Sequence, residues 1–277
     1  IRKFLPFELT IDQERCTKEI INDLKSKKRT LRLLHGEVGS GKTVVAMISA
    51  YFILQSGYQV TILAPTELLV RQHHDFFTKI LPNNINIDVL LSSSSNKKDI
   101  KKKIANGVTQ LIIGTHALLQ DDVEFKNLSY VIIDEQHRFG VEQRMKMISK
   151  GKKVDILLLT ATPIPRTMML TIFGDISVST IKNKPYKTTT STIIKSEKNI
   201  AEVISFLKNK VLSGQKIFWV CPKIENEESE SNSNVKERYN LLKKDFKKIS
   251  ILHGKMSSQD KNRTLESFRK GFINFLI

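Results

Sequence analysis

Residues 31–43 read Leu31-Arg32-Leu33-Leu34-His35-Gly36-Glu37-Val38-Gly39-Ser40-Gly41-Lys42-Thr43, an apolar run that breaks into glycines and ends on a lysine and a threonine. The last eight positions match G-x-x-x-x-G-K-[ST]. They stand between an apolar strand-like segment and a mostly apolar helix-like one (44–54), the context a phosphate-cradling loop requires. Glycines let backbone amides turn inward around a β-phosphate, and the helix behind them presents its N-terminal amides to the same charge. In this reading Gly36, Glu37, Val38, Gly39, Ser40 and Gly41 form the cradle. Lys42 neutralises the β- and γ-phosphates of ATP, and the Thr43 hydroxyl holds Mg2+. The plainer alternative is a glycine-rich turn in an α/β core.

Outward from this loop, β-branched runs at 31–35, 59–64, 85–91, 110–114, 130–134 and 155–160 alternate with helix-like stretches, the signature of a parallel sheet wound by helices. Ahead of them, Thr10 with Gln13 three residues later forms a capping-box pattern that opens a helix running to about residue 27. Val131-Ile132-Ile133-Asp134-Glu135 supplies what the loop lacks: an apolar strand ending in two acids where it would leave the sheet. Asp134 would complete the magnesium shell, and Glu135 would orient and deprotonate the attacking water. Standing alone, such a pair would read as solvated strand-end residues.

Beyond residue 181 the segment 182–192 lacks apolar periodicity and contains Pro185, so it reads as a linker. A second alternation follows: strand 192–195, helix 199–212, strand 216–221, a polar surface loop 225–234, strand 250–253 and helix 257–270. The last residues, 272–277, read as the beginning of a strand. A parallel strand is normally covered by neighbours on both sides. This lobe is therefore expected to be cut in mid-sheet, with backbone donors and apolar side chains of 272–277 uncovered.

A length of 277 residues favours two domains. The longest mainly apolar run, 44–54, is too short to cross a bilayer. Cys16 and Cys221 lack the paired spacing of a zinc site or disulfide framework, which fits a reducing, cytoplasmic setting. The chain begins with Ile, which leaves a preceding segment open. A net charge of +17 favours polyanionic partners, nucleic acid first and anionic membrane second, although 34 lysines against 11 arginines is also a skew that codon bias produces.

These residues resemble superfamily 2 helicases and, more narrowly, the RecG family of branched-DNA translocases. The resemblance runs through Leu5-Pro6-Phe7-Glu8-Leu9-Thr10 with Gln13, then Ala64-Pro65-Thr66-Glu67-Leu68-Leu69, Gly114-Thr115-His116-Ala117 and Asp134-Glu135-Gln136-His137-Arg138-Phe139-Gly140. It continues in Thr160-Ala161-Thr162-Pro163-Ile164-Pro165-Arg166-Thr167, Trp219-Val220-Cys221-Pro222 and Leu252-His253-Gly254-Lys255-Met256. The order and spacing of these strings cover essentially the whole chain. The transcription-repair coupling factor shares two of them but usually has Glu where this chain has Gln136.

The resemblance implies an α/β fold. Residues 1–181 would be a P-loop NTPase lobe with a RecA-like parallel sheet and helices on both faces. The linker 182–192 would follow, then the N-terminal part of a second RecA-like lobe at 193–277. It implies an ATP-dependent DNA helicase or translocase that remodels stalled forks and recombination intermediates, with branched duplex DNA as partner. No membrane and no obligate protein partner are expected. The setting would be a bacterial cytoplasm, nucleoid-associated when on DNA.

Gln13 would read the adenine edge beside Phe7. Pro65, Thr66, Gly114 and Thr115 would meet the DNA backbone, where small residues approach a phosphate closely. His253 and Gly254 would touch DNA or the lobe interface. Thr160, Thr162, Gln136 and His137 would couple the γ-phosphate to lobe movement, and Arg138 and Arg166 would serve phosphates. Two family parts have no match in this sequence: the wedge domain that precedes the motor, and the later arginine-bearing motifs of the second lobe. A nucleotide-responsive DNA-binding module without useful turnover therefore stands beside the motor reading. A P-loop kinase or transporter ATPase is disfavoured by the 160–167 string.

Overall fold

In the computed structural model the described residues are 5–26, 28–135, 139–162, 176–186, 190–222 and 234–277. The chain divides into two compact units, Ile1–Thr188 and Thr189–Ile277, so the division falls inside the polar stretch 182–192.

The first unit begins with α1 (Ile11–Leu24), opened by a complete capping box between Thr10 and Gln13. There follow β1 (Leu31–Gly36), α2 (Lys42–Gln55), β2 (Gln59–Leu63), α3 (Glu67–Ile80), β3 (Ile87–Leu90), α4 (Lys97–Ala105) and β4 (Leu111–Gly114). A short 3-10 turn (His116–Leu119), β5 (Leu128–Ile133), α5 (Val141–Ile148), β6 (Asp155–Thr160) and β7 (Ser177–Ile181) complete it. The strands form one seven-stranded sheet in the order β3-β4-β2-β5-β6-β1-β7, with every pairing parallel.

Strand side chains point alternately to opposite faces, and here both faces are apolar. Leu34, Val60, Ile62, Tyr130, Ile132 and Leu157 join a core with Ile20, Val45, Met47, Val70 and Phe77 from α1, α2 and α3. Their neighbours Leu33, Leu63, Val131, Ile133 and Leu158 join a second core with Ile100, Ile104, Leu118 and Met147 from α4, the 3-10 turn and α5. Helices therefore cover both faces, the arrangement that all-parallel sheets need. This is the P-loop NTPase, RecA-like sheet.

β7 is an addition to the six strands expected. Its sequence, Ser-Val-Ser-Thr-Ile, has little apolar signal, and it is held at the sheet edge by pairing with β1 and by polar contacts to α1. Arg32 on β1 donates from Nε to Asp23 Oδ2 at 2.5 Å and from a terminal nitrogen to Ser179 Oγ at 2.8 Å. Ser179 in turn donates to Glu19.

The second unit contains α6 (Ile200–Leu212), β8 (Ile217–Phe218), α7 (Val235–Leu242), β9 (Ile249–Ser250), α8 (Ser258–Lys270) and β10 (Phe275–Leu276). Ser257 caps α8 by accepting from the Asp260 amide, and Gly271 ends the helix at φ 83°, a left-handed turn that glycine adopts without cost to a Cβ. The parallel sheet order is β8-β10-β9, around a core of Ile217, Leu242, Phe246, Phe275 and Ile277. Two expectations are corrected here. The final strand is not uncovered: β10 is central, paired on both sides, and Phe275, Leu276 and Ile277 are buried. Residues 192–195 form no strand: among the described residues no neighbour pairs with them, and Ile193 and Ile194 are exposed. Strand pairing is also shorter than expected within 216–221 and 250–253. Among the described residues no helix is long and apolar enough to cross a membrane.

Candidate nucleotide and nucleic-acid site

In open parallel sheets, ligands bind beyond the carboxyl ends of the strands. The sheet order makes β5, β6 and β1 neighbours. Their carboxyl ends deliver Asp134 with Glu135, Thr160 with Thr162, and the loop 36–43 to one stretch of that edge. β2 and β4, also neighbours, end on Pro65-Thr66 and Gly114-Thr115 along the same edge.

The loop 36–41 turns through two left-handed glycines, Gly39 at φ 82° and Gly41 at φ 85°. A Cβ on Gly39 would meet nothing within 4 Å, whereas one on Gly41 would meet Gln13 Nε2 at 2.3 Å. A Cβ on Gly36 would meet Ser40 Oγ at 2.5 Å. Backbone conformation thus requires glycine at 39 and 41, and close packing requires it at 36. Ser40 Oγ is buried without a hydrogen-bond partner among the described residues. Glu37 and Val38 are exposed at the turn, and the Glu37 carboxylate pairs with Lys184 at 2.8 Å, which lowers its pKa.

Lys42 opens α2 and folds back on the loop, its Nζ donating to the carbonyls of Gly36 at 2.6 Å and Glu37 at 3.1 Å. Burial pushes its ammonium below the ordinary lysine value, while the charges of Asp134 and Glu135 pull the other way. Thr43 is half-buried in the same first turn.

Gln13 is buried, and both ends of its amide are engaged. Oε1 accepts from the Thr10 amide at 2.9 Å, and Nε2 donates to Ser40 O at 2.9 Å, tying α1 to the loop. Phe7 nearby in sequence is partly exposed.

At the end of β5, Asp134 Oδ2 lies 2.8 Å from Nε2 of His73, and Asp134 Oδ1 accepts from the Glu135 amide at 3.0 Å. Glu135 has φ 50°, the one left-handed non-glycine residue among the described residues. Such backbone costs about 1–2 kcal/mol and collects at functional sites. At the end of β6 the Thr160 and Thr162 hydroxyls lie 3.0 Å apart, and the Thr162 amide donates to Thr160 Oγ1 at 3.2 Å.

On the neighbouring stretch Thr66 caps α3, its hydroxyl accepting from the Leu69 amide at 3.3 Å. Pro65 precedes it, half-buried. Gly114 is packed so closely that a Cβ would meet Leu90 O at 2.5 Å and Leu118 Cγ at 2.8 Å. Thr115 is buried, and its carbonyl accepts from the Leu118 amide at 3.0 Å.

His253 and Gly254 belong to the second unit. The His253 amide lies 3.5 Å from Met256 Sδ, and its Nδ1 is buried without a partner among the described residues. Gly254 is exposed, its carbonyl accepting from Lys261 Nζ at 2.7 Å. Gln136, His137, Arg138 and Arg166 lie outside the described residues.

The sequence reading missed His73. A signal was present: α3 buries Val70, His73, Phe77 and Ile80, a helical stripe that is apolar except for this histidine.

The DEAD/DEAH box helicase family model matches residues 12–170. Over 283 residues the chain is 41% identical to the ATP-dependent DNA helicase RecG of Staphylococcus epidermidis, and the match covers 99% of this chain and 41% of that protein. It is 43% identical over 280 residues to RecG of Borreliella burgdorferi, again covering 99% of this chain and 41% of the relative. Among solved structures, RecG bound to a three-way DNA junction superposes with a TM-score of 0.77 at 37% identity, covering 99% of this chain and 36% of that one. The chain thus spans about two fifths of the length of these relatives.

Proposed function

We propose that this chain, which belongs to the DEAD/DEAH box helicase family, carries the motor of a RecG-type enzyme that hydrolyses ATP to move along and remodel branched DNA. The observation that carries this reading is the adjacency of β5, β6 and β1, which gathers the phosphate loop, the paired acids and the two threonines at one sheet edge. The RecG relatives favour this assignment over a transcription-repair coupling factor. Their bacterial sources fit a bacterial cytoplasm, with the nucleoid as the place of work.

The residues suit Mg2+-ATP. The left-handed glycines let the loop turn amides toward phosphates, and among the described residues Ser40 Oγ has no hydrogen-bond partner. Among the described residues the hydrogen bonds of Lys42 Nζ go to neutral carbonyls. A charged phosphate oxygen is a stronger acceptor than these, so the ammonium would exchange onto it. Thr43 and Asp134 offer hard oxygen donors, and Mg2+ is commonly held by one or two protein oxygens together with substrate phosphates. When bound, it would offset charge on the phosphate oxygens. Glu135 would orient the attacking water and accept its proton. Gln13 retains one N–H and one carbonyl lone pair beyond the bonds described, enough to meet the adenine edge. Thr160 and Thr162, with Gln136 and His137, would pass the state of the γ-phosphate to the second lobe. Pro65, Thr66, Gly114, Thr115, His253 and Gly254 would contact the DNA backbone. Arg138 and Arg166 would serve phosphates.

Phosphate release from ATP, measured with no DNA, linear duplex and a three-way junction, tests the reading. The expected result is turnover that DNA raises, the effect falling as salt rises because phosphate contacts release counterions. Lys42→Ala should remove both nucleotide binding and turnover. Binding of nucleotide and DNA without any turnover would make the chain a binding module, and unchanged binding in Lys42→Ala would overturn the nucleotide site.

A further inference from the structure

Helix α3, capped by Thr66, brings its one buried imidazole to the carboxylate of Asp134 just past the end of β5. The partner is specific. Asp134 continues the β2–β5 ladder past the strand, its amide donating to Leu63 O at 2.9 Å, so its backbone is fixed by the sheet. Its carboxylate is then held at both oxygens, Oδ2 by His73 Nε2 at 2.8 Å and Oδ1 by the Glu135 amide at 3.0 Å. An ionised carboxylate only accepts, so the proton on that imidazole sits on Nε2. The ring is set by packing: Phe77, one turn further along α3, meets it edge-on with centroids 6.4 Å apart.

We infer that His73 is a positioning residue for nucleotide-bound Mg2+: by donating to Asp134 it fixes the rotamer in which that carboxylate meets the metal's coordination shell. The inference rests on the nucleotide reading above. Each carboxylate oxygen keeps a lone pair after these two bonds, so the carboxylate is oriented without being used up. Outer partners of this kind typically govern metal affinity by about 10- to 100-fold. Without the imidazole the carboxylate would be free to turn toward the Lys42 ammonium, and the two charges would neutralise each other instead of serving metal and phosphate.

The position also explains why a histidine lies in an otherwise apolar stripe. Val70, Phe77 and Ile80 do the packing, and a leucine at 73 would do it as well. Only a donor that reaches Asp134 needs to be polar. In addition, α3 joins the end that bears Pro65-Thr66 to the metal-facing acid within two helical turns.

The test titrates the full chain with a fluorescent ADP analogue, once with MgCl2 and once with EDTA, for the wild type, His73→Leu and His73→Gln. Mn2+ affinity of the ADP-bound protein is measured alongside by electron paramagnetic resonance. His73→Leu should lose on the order of tenfold of the Mg2+-dependent tightening, and a similar factor in Mn2+ affinity, with its EDTA affinity unchanged. His73→Gln places an amide N–H near the Nε2 position and should recover most of both. Three results would overturn the inference: an unchanged metal increment in His73→Leu, an equal loss with and without metal, which would mark a structural role, or no recovery in His73→Gln. Lys42→Ala in the same titration separates the two claims, since it tests phosphate binding itself while the histidine variants read only the metal increment.

Discussion

Two stretches of the same sheet edge differ in how much of their composition the fold already explains. Where β4 and β2 end, the motif residues are spent on structure: Gly114 lacks a Cβ because Leu90 O and Leu118 occupy its place, and the Thr66 hydroxyl caps α3. Where β5, β6 and β1 end, they are not. Ser40 Oγ is buried with no partner among the described residues, Lys42 leans on two carbonyls, and Glu135 takes a left-handed backbone. A residue whose identity folding does not require is better evidence of a ligand than one whose identity it does. The nucleotide assignment therefore stands on geometry as well as motif, and the DNA-contact assignment for the β4–β2 stretch stands on motif alone.

The contrast can be broken first at Glu135. Glu135→Gln keeps size and backbone but removes the proton acceptor, so ATP hydrolysis should fall by about 100-fold or more while nucleotide affinity stays near wild type. Steady-state phosphate release beside equilibrium nucleotide binding checks this, and unaffected turnover would return Glu135 to the fold.

On the other stretch the larger effect should be on stability. Gly114→Ala forces a methyl into the Leu90 carbonyl and the Leu118 side chain, and overpacking of this kind costs about 1–3 kcal/mol. Trp219, the single tryptophan, lies in the second unit, so unfolding of the first is best followed by circular dichroism in urea. A variant as stable as wild type would mean that the glycine is kept for something other than packing.

How much of this was legible in the sequence depends on whether the signal was local. The phosphate loop, the 131–135 strand with its acids and the α1 capping box each declare themselves within a few residues. β7 did not, because Ser177–Ile181 carries only Val178 and Ile181 as apolar residues, and its pairing with β1 and the Arg32, Glu19 and Ser179 contacts are made across the fold. Residues 192–195 show the reverse error: β-branched residues satisfy the local pattern, but no strand forms there, since none of the described residues pairs with them. The burial of 275–277 was misjudged for the same reason, since a central position between β8 and β9 is a fact of pairing order. His73 lay between these cases. Its place in an apolar stripe was visible, but its partner is 61 residues away and needed the fold.

Thr66 has two roles that substitution can separate. Thr66→Ala removes the α3 cap and should cost about 1 kcal/mol, which by itself says nothing about DNA. Thr66→Asp is different, because aspartate caps at least as well as threonine and its charge suits a helix N-terminus, so stability should stay at or slightly above wild type. If Thr66 faces a DNA phosphate, however, that carboxylate meets like charge, which at an interface can cost several kcal/mol. DNA affinity should then fall on the order of tenfold or more while folding and nucleotide binding hold. Measured by fluorescence anisotropy with a junction substrate at fixed salt, a loss in Thr66→Asp larger than in Thr66→Ala would move this residue from the stretch the fold explains to the one it does not. Equal affinity in Thr66→Asp and wild type would confine Thr66 to its cap and leave the DNA contacts to be sought elsewhere on the basic surface.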